Sequence, residues 1–179
     1  MRIISGLYKG RKLEGDNIDG TRPTMDRIKE SFFAMIQDHL KNSVVLDLFA
    51  GSGSLGLEAL SSGASFSYFN DHNQKCIKVI NNNIKTLNLE SNTRVLNLDY
   101  EEALNYFQKN NIKFNIVFLD PPYKDRNINT IIDYLIDYNL LLEKALIVIE
   151  VGNDYIDNEK IKVYKKRVYG DKQIIILQI

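Results

Sequence analysis

The sequence predicts an α/β fold: a mainly parallel sheet with helices on both faces, closed by an antiparallel C-terminal hairpin. Three observations carry this. Short apolar runs alternate with stretches whose apolar residues recur at helical spacing, which implies right-handed βαβ units. Several of those runs are apolar throughout, as strands buried on both faces are. The last two strand-like stretches are separated only by a short turn with no room for a crossover helix, so they pair antiparallel. At 179 residues the chain reads as one main domain with a small appendage. The division expected is an N-terminal β-hairpin extension over residues 1–20 and the α/β domain over residues 21–179.

Taken in order, residues 2–13 read as strands or a hairpin punctuated by Gly6 and Gly10. A loop rich in Gly, Asp and Asn runs from Glu14 to Gly20. Pro23 opens a helix with Thr24 as its candidate N-cap, and Ile28, Phe32, Ile36 and Leu40 form its apolar stripe. Val44 to Phe49 is the first strand of the sheet, and Ser54 to Ser62 is helical. Phe66 to Phe69 is the second strand. Asn73 then caps a helix lined by Ile77, Ile80, Ile84 and Leu87. Arg94 to Leu98 is the third strand and Tyr100 to Lys109 a helix. Ile116 to Leu119 is the fourth strand, and Ile128, Ile131, Ile132, Leu135 and Ile136 line the next helix. Leu146 to Ile149 is the fifth strand. Ile161 to Val168 and Gln173 to Ile179 form the hairpin, turning through Gly170-Asp171.

Composition bounds the function. Hydrophobic residues make up 44% and charged residues 26%, the balance of a soluble globular protein and not of a disordered one. No apolar run approaches the ~20 residues of a membrane span. The first residues lack the apolar stretch of a signal peptide. The single cysteine, Cys76, excludes an internal disulfide and fits a reducing compartment. With only two histidines, His39 and His72, the chain offers no soft-metal ligand set. The expectation is a cytoplasmic monomer without metal or membrane. The formal net charge is zero but uneven: residues 1–30 carry seven basic groups against five acids, and residues 160–179 carry six against Asp171 alone. Basic ends with Tyr8, Tyr164 and Tyr169 interleaved suit a polyanion, although solvated hairpins have the same composition.

In open α/β sheets the ligand lies beyond the carboxyl ends of the strands. After the first strand, Gly51, Gly53 and Gly56 match G-x-G-x-x-G, a turn that lets a ligand approach the backbone in front of a helix N-terminus. Asp71 stands 20 residues beyond Gly51, where an acid meets the ribose hydroxyls of an adenosine ligand. Asp99 follows the third strand and is placed for an adenine edge, or for capping the helix behind it. This set fits a nicotinamide cofactor as well as S-adenosylmethionine. The segment after the fourth strand, Asp120-Pro121-Pro122-Tyr123, separates them. Its prolines fix φ and donate no hydrogen bond, so the loop is rigid and rich in acceptors. The Asp120 carboxylate and the Pro121 carbonyl form a fork for an –NH2 group, and Tyr123 offers a face on which a planar base stacks. A nicotinamide oxidoreductase leaves this segment unexplained.

The series Asp47-Leu48-Phe49-Ala50-Gly51-Ser52-Gly53, Asp71, Asp99 and Asp120-Pro121-Pro122-Tyr123 resembles the motifs of class I S-adenosylmethionine-dependent methyltransferases, whose sheet is Rossmann-like, acting on exocyclic amines. Arg2-Ile3-Ile4-Ser5-Gly6 with Lys9-Gly10-Arg11-Lys12-Leu13, and Arg22-Pro23-Thr24-Met25-Asp26-Arg27-Ile28-Lys29-Glu30, are similar to the N-terminal signatures of the RsmD family. Tyr169-Gly170-Asp171 also fits. That family methylates the N2 amine of a guanine in small-subunit (16S) ribosomal RNA. Asp71 stands where the family usually has Glu, a shorter arm for the same contact.

The resemblance implies that Asp47, Phe49, Gly51 and Gly53 surround the methionine part of the cofactor, with Asp71 on the ribose and Asp99 near adenine. Thr24 and Arg27 would close over cofactor or substrate phosphate. Arg2, Lys9, Arg11, Lys12 and Arg22 are the further candidates for RNA contacts. The neutral net charge points to a folded ribonucleoprotein, whose shape adds to phosphate attraction. Asp-Pro-Pro-Tyr serves an adenine N6 target equally well, and an RNA-binding assembly factor with a vestigial site is a further alternative. His39 and His72 are read as structural, Cys76 as packing and Glu150 as a solvated strand-end charge.

Overall fold

The computed structural model describes residues 1–15, 23–121, 128–152, 161–170 and 172–179. Its elements run α1 (Pro23–Leu40), β1 (Val44–Asp47), α2 (Ser54–Ser61), β2 (Phe66–Asn70), α3 (Gln74–Leu87), β3 (Thr93–Leu96), α4 (Tyr100–Lys109), β4 (Phe114–Leu119), α5 (Ile128–Asp137), β5 (Leu141–Val151), β6 (Lys162–Tyr169) and β7 (Lys172–Gln178). The strands form one sheet in the order β3-β2-β1-β4-β5-β7-β6. The first five are parallel, and β7 pairs antiparallel with both β5 and β6. From β1 the chain steps outward to β2 and β3, then returns to the other side of β1 for β4. The topological switch point therefore lies between the carboxyl ends of β1 and β4, where Asp47 and Asp120 stand.

The continuous apolar runs are explained by burial on both faces. Val117, Leu119, Ile147, Ile149, Ile175 and Leu177 pack beneath α4 and α5 with Leu104, Phe107, Ile131 and Leu135. Their alternates Ile116, Phe118, Leu146, Val148, Ile174 and Ile176 pack under α1 with Ile28, Phe32, Phe33 and Ile36. A third cluster joins α2 and α3 to the N-terminal segment through Ile3, Leu13, Leu57, Phe69, Ile80 and Ile84. Asn73 caps α3 as expected, accepting from the Lys75 N–H at 2.9 Å.

Local differences have identifiable causes. α1 begins at Pro23, so Thr24 lies inside the first turn instead of capping it; proline's fixed φ and missing N–H suit the first helical position. β5 starts at Leu141 and runs through Glu150 to Val151, held by pairing with Phe114 at one end and Gln173 at the other. Residues 1–15 contain a single antiparallel bridge, Arg2 with Lys12, in place of a full ladder. Ile3 N–H donates to the Arg11 carbonyl and Leu13 N–H to the Met1 carbonyl. The segment lies close against α2: a Cβ on Gly6, at φ +74°, would stand 1.8 Å from the Ser61 carbonyl oxygen.

Candidate active site

Asp47 ends β1 and is 2% exposed. Its Oδ2 accepts from the Gly56 N–H at 3.1 Å. Burial pushes its carboxyl up to about 7; the Gly56 bond opposes this, and the charges of Asp120 and Asp71 add to it. No cation acts on it among these causes. The glycines divide the remaining work. Gly51 (φ +54°) and Gly53 (φ +78°) make the left-handed turn that leads into α2, which a Cβ would strain. Gly56 is needed for close helix–strand packing, since a Cβ there would lie 2.3 Å from the Phe69 ring.

Asp71 follows β2. The Gly51 N–H donates to its Oδ2 at 2.8 Å, and the Asn73 N–H donates to its Oδ1 at 2.8 Å. The acid expected opposite a ribose thus also braces the glycine loop. Asp99 occupies the N-cap position of α4, is exposed, and makes no side-chain cap bond. Phe49 is half-buried against Tyr100, with ring centroids 6.0 Å apart.

Asp120 follows β4. Its side chain keeps solvent contact yet is closely surrounded by protein. That crowding and then Glu150 push its carboxyl up to about 7, while Lys172 pulls it down. Solvent access relieves part of the crowding, so the upward direction rests on Glu150 as well. Glu150 is ion-paired with Lys172, and both side chains are mostly buried. It is therefore not the solvated strand-end charge that the sequence suggests. Pairing of Glu150 with Ile174 draws Lys172, at the start of β7, up to the carboxyl end of the parallel strands. Pro121 lies beside Asp120. Pro122, Tyr123, Arg22 and Asp171, and the side chain of Thr24, lie outside the described residues.

Three asparagines that sequence reasoning missed hold the loops in place. Asn70 Nδ2 donates to the carbonyls of Leu48 and Leu98, joining the loops that carry Phe49 and Asp99. Asn97 donates to the carbonyls of Asp71 and His72. Asn83 on α3 donates to the carbonyls of Ser52 and Glu14. A polar residue ending a mostly buried strand was the available signal for Asn70, and a polar residue just after a strand for Asn97. Nothing local marks Asn83.

Of the other candidates, Arg2, Lys9, Arg11, Lys12 and Arg27 are all exposed. Arg11 donates to the Thr86 carbonyl at 3.1 Å. His39 stacks edge-on with Tyr164, and Cys76 is buried with its thiol pushed up to about 11, mainly by that burial. Among the described residues no group of His, Cys, Asp and Glu could hold a metal ion, and no helix is long and apolar enough to cross a membrane.

The family model described as Conserved hypothetical protein 95 matches residues 1–178. Ribosomal RNA small subunit methyltransferase D of Haemophilus influenzae is 38% identical over 157 residues, covering 86% of this chain and 80% of the relative. The solved structure of yhhF from Escherichia coli is 29% identical with a TM-score of 0.87, covering 99% of this chain and 97% of that one. A more distant structure, SMU.776 solved as a complex with SAH, is 14% identical with a TM-score of 0.68, covering 82% of this chain and 49% of that one. At that identity it shows a common fold alone.

Proposed function

The chain belongs to the RsmD family, and from that premise we propose that it transfers a methyl group from S-adenosylmethionine to the N2 amine of a guanine in small-subunit ribosomal RNA. The observation that carries this reading is the convergence of Asp47, the Gly51–Gly53 turn and Asp120 on the switch point. Among the described residues, buried Asp47 feels two neighbouring carboxylates and no cation. That donor set fits a ligand bringing its own positive charge, as a sulfonium with an ammonium group does.

When bound, the cofactor supplies a methyl activated by the sulfonium. Positioning is then the protein's main task. Asp47 and the Gly51–Gly53 backbone receive the methionine part, Phe49 lines the turn, Asp71 takes the ribose, and Asp99 faces the adenine amine. Thr24 and Arg27 on the first turns of α1 close over the site. The Asp120 carboxylate and the Pro121 carbonyl accept the two N–H groups of the guanine amine. This turns its lone pair toward the methyl and stabilises the positive charge that develops on nitrogen. Once methylated, the nitrogen would carry a surplus proton, which Asp120 or water would accept. Pro122 stiffens the loop, and Tyr123 stacks the base, which leaves its own stack to reach the site. Arg2, Lys9, Arg11 and Lys12 contact the RNA backbone from the N-terminal segment, together with Arg22.

The test is labelled-methyl transfer from S-adenosylmethionine to small ribosomal subunits lacking the modification, followed by nucleoside analysis, with Asp120→Ala as control. N2-methylguanosine that disappears in the variant is expected. N6-methyladenosine would move the target to adenine. Failure to bind S-adenosylmethionine would overturn the reading in favour of an assembly factor.

A further inference from the structure

The strand at the sheet's edge, β6, carries a second cluster of positive charge away from the N-terminal segment. A groove of about 510 Å³ runs between β6 and α1, lined by Ser31, Ala34, Met35, Lys165, Lys166 and Arg167. Among the described residues no carboxylate lines it. Lys165 Nζ donates to the Met35 carbonyl at 2.8 Å and Arg167 to the Ser31 hydroxyl at 3.2 Å. Among the described residues none of the three cations has a carboxylate partner. Lys165 and Arg167 are held in place by neutral groups, and their charge is not compensated by any described residue.

The placement is set by a register shift. Val163 pairs with Leu177 and Lys165 with Ile176, which leaves Tyr164 as the extra residue. Lys165 and Arg167 thereby fall opposite Ile176 and Ile174, on the face that packs against α1. Without the shift both would turn to the other face. They stand about 6.7 Å apart along the strand, so the groove presents a row of charge, with exposed Tyr164 at its far end. The near end leads to the hairpin turn and Lys172, which acts on Asp120. β6 is three strands from β4, roughly 14 Å at the spacing of paired strands.

We propose that the β6–α1 groove is a docking site for the sugar–phosphate backbone of the RNA strand flanking the methylated base. An extended polyanion matches a row of uncompensated cations ending at the carboxyl end of the sheet. Lysines on an edge strand also discourage pairing with another chain, but that role requires neither the groove nor the cation-holding contacts from α1. The proposal rests on the RNA-methylating reading above.

The experiment compares wild type with Arg167→Gln, the double variant Lys165→Gln/Arg167→Gln, and Lys109→Gln, which removes one exposed charge on α4. Steady-state methyl transfer to small subunits is measured from 0.05 to 0.3 M salt, together with direct binding of the subunits, cofactor affinity, melting temperature and elution volume. At 0.15 M salt each released counterion is worth roughly a factor of four. The double variant should therefore raise KM and the subunit Kd about fifteenfold and reduce the salt slope by about 1.5. Arg167→Gln alone should give about a fourfold rise, with kcat and cofactor affinity unchanged and Lys109→Gln at wild-type values. Unchanged KM and salt slope would overturn the proposal. So would an equal effect of Lys109→Gln, a loss that follows melting temperature, or an Arg167→Gln protein that elutes as a dimer. If wild type transfers no methyl but binds subunits through Lys165 and Arg167, docking stands and the catalytic reading falls. If it binds no subunits, both fall.

Discussion

Lys29 and Glu58 form a buried ion pair, Nζ to Oε2 at 3.1 Å, that joins three separate parts of the chain. Lys29 comes from α1, and its ammonium also donates to the Arg2 carbonyl and the Ser54 hydroxyl. Glu58 comes from α2, and its carboxylate accepts from the Ile4 and Ser5 N–H groups and the Ser5 hydroxyl. The pair thus fixes the N-terminal segment, α1 and the helix behind the glycine turn as one unit.

Lys29→Met leaves Glu58 charged and buried with only neutral donors. Breaking a buried pair from one side costs about 3–5 kcal/mol, and chemical denaturation should show a loss of that order. Glu58→Gln keeps one acceptor for the N-terminal amides and should lose less. Hydrogen exchange at Ile4 and Ser5 should accelerate in Lys29→Met ahead of the sheet amides. Equal acceleration everywhere would mean that the pair supports the whole fold and does not specifically dock the segment.

Gly56→Ala tests the packing of α2 on β2. The added methyl would meet the Phe69 ring at 2.3 Å and the Ser67 hydroxyl at 2.6 Å. Neither is the free end of a flexible chain, so α2 must move. Overpacking of this kind costs about 1–3 kcal/mol. Because the Gly56 N–H also holds Asp47, the variant should weaken cofactor binding beyond what its lower melting temperature accounts for. Titration calorimetry well below the melting temperature separates the two effects.

Most strands and helices were legible because apolar period and capping are local. Asn73 and the Ile80, Ile84 and Leu87 stripe specify α3 without help from the rest of the chain. The Gly51–Asp71 spacing was legible for a related reason, since a βα unit of fixed length brings the end of β2 beside the turn after β1. What was hidden depends on distant pairing. Glu150 reads as a charge beyond an apolar run, and only its register with Ile174 keeps it in the strand and brings Lys172 to it. Lys29 counts as one more basic residue near the N-terminus until Glu58, on another helix, accounts for its burial.

Asp47 should make cofactor binding depend on pH. Its carboxyl is raised from 3.8 to about 7 in the folded protein, so at pH 6 the folded state holds a proton that the unfolded chain has lost. Stability from this group therefore falls as pH rises from about 4 to 7. A cationic ligand favours the carboxylate, so binding expels the proton and affinity rises over pH 5.5–7.5. Calorimetry in buffers of different ionisation heat should show proton release near pH 6.5. Asp47→Asn should bind more weakly at pH 7.5 and lose most of that release. A pH-independent affinity in wild type would remove Asp47 from the cofactor site.

Asp120 should govern the acid limb of the rate profile. To accept the amine N–H groups it must be ionised, and its carboxyl sits at about 7, pushed up by its surroundings and Glu150 and pulled down by Lys172. Single-turnover rates at saturating cofactor and subunit should therefore rise with pH through the neutral range and level off above it. Lys172→Met removes the stabilising cation, leaves Glu150 unpaired beside Asp120, and should move the limb to higher pH. Glu150→Gln removes the repelling charge while Lys172 still acts on Asp120, and should move it to lower pH. Opposite displacements from two residues outside the Asp-Pro-Pro-Tyr loop identify the titrating group as Asp120, because a general loss of folding would lower the plateau in both variants without shifting the limb in opposite directions.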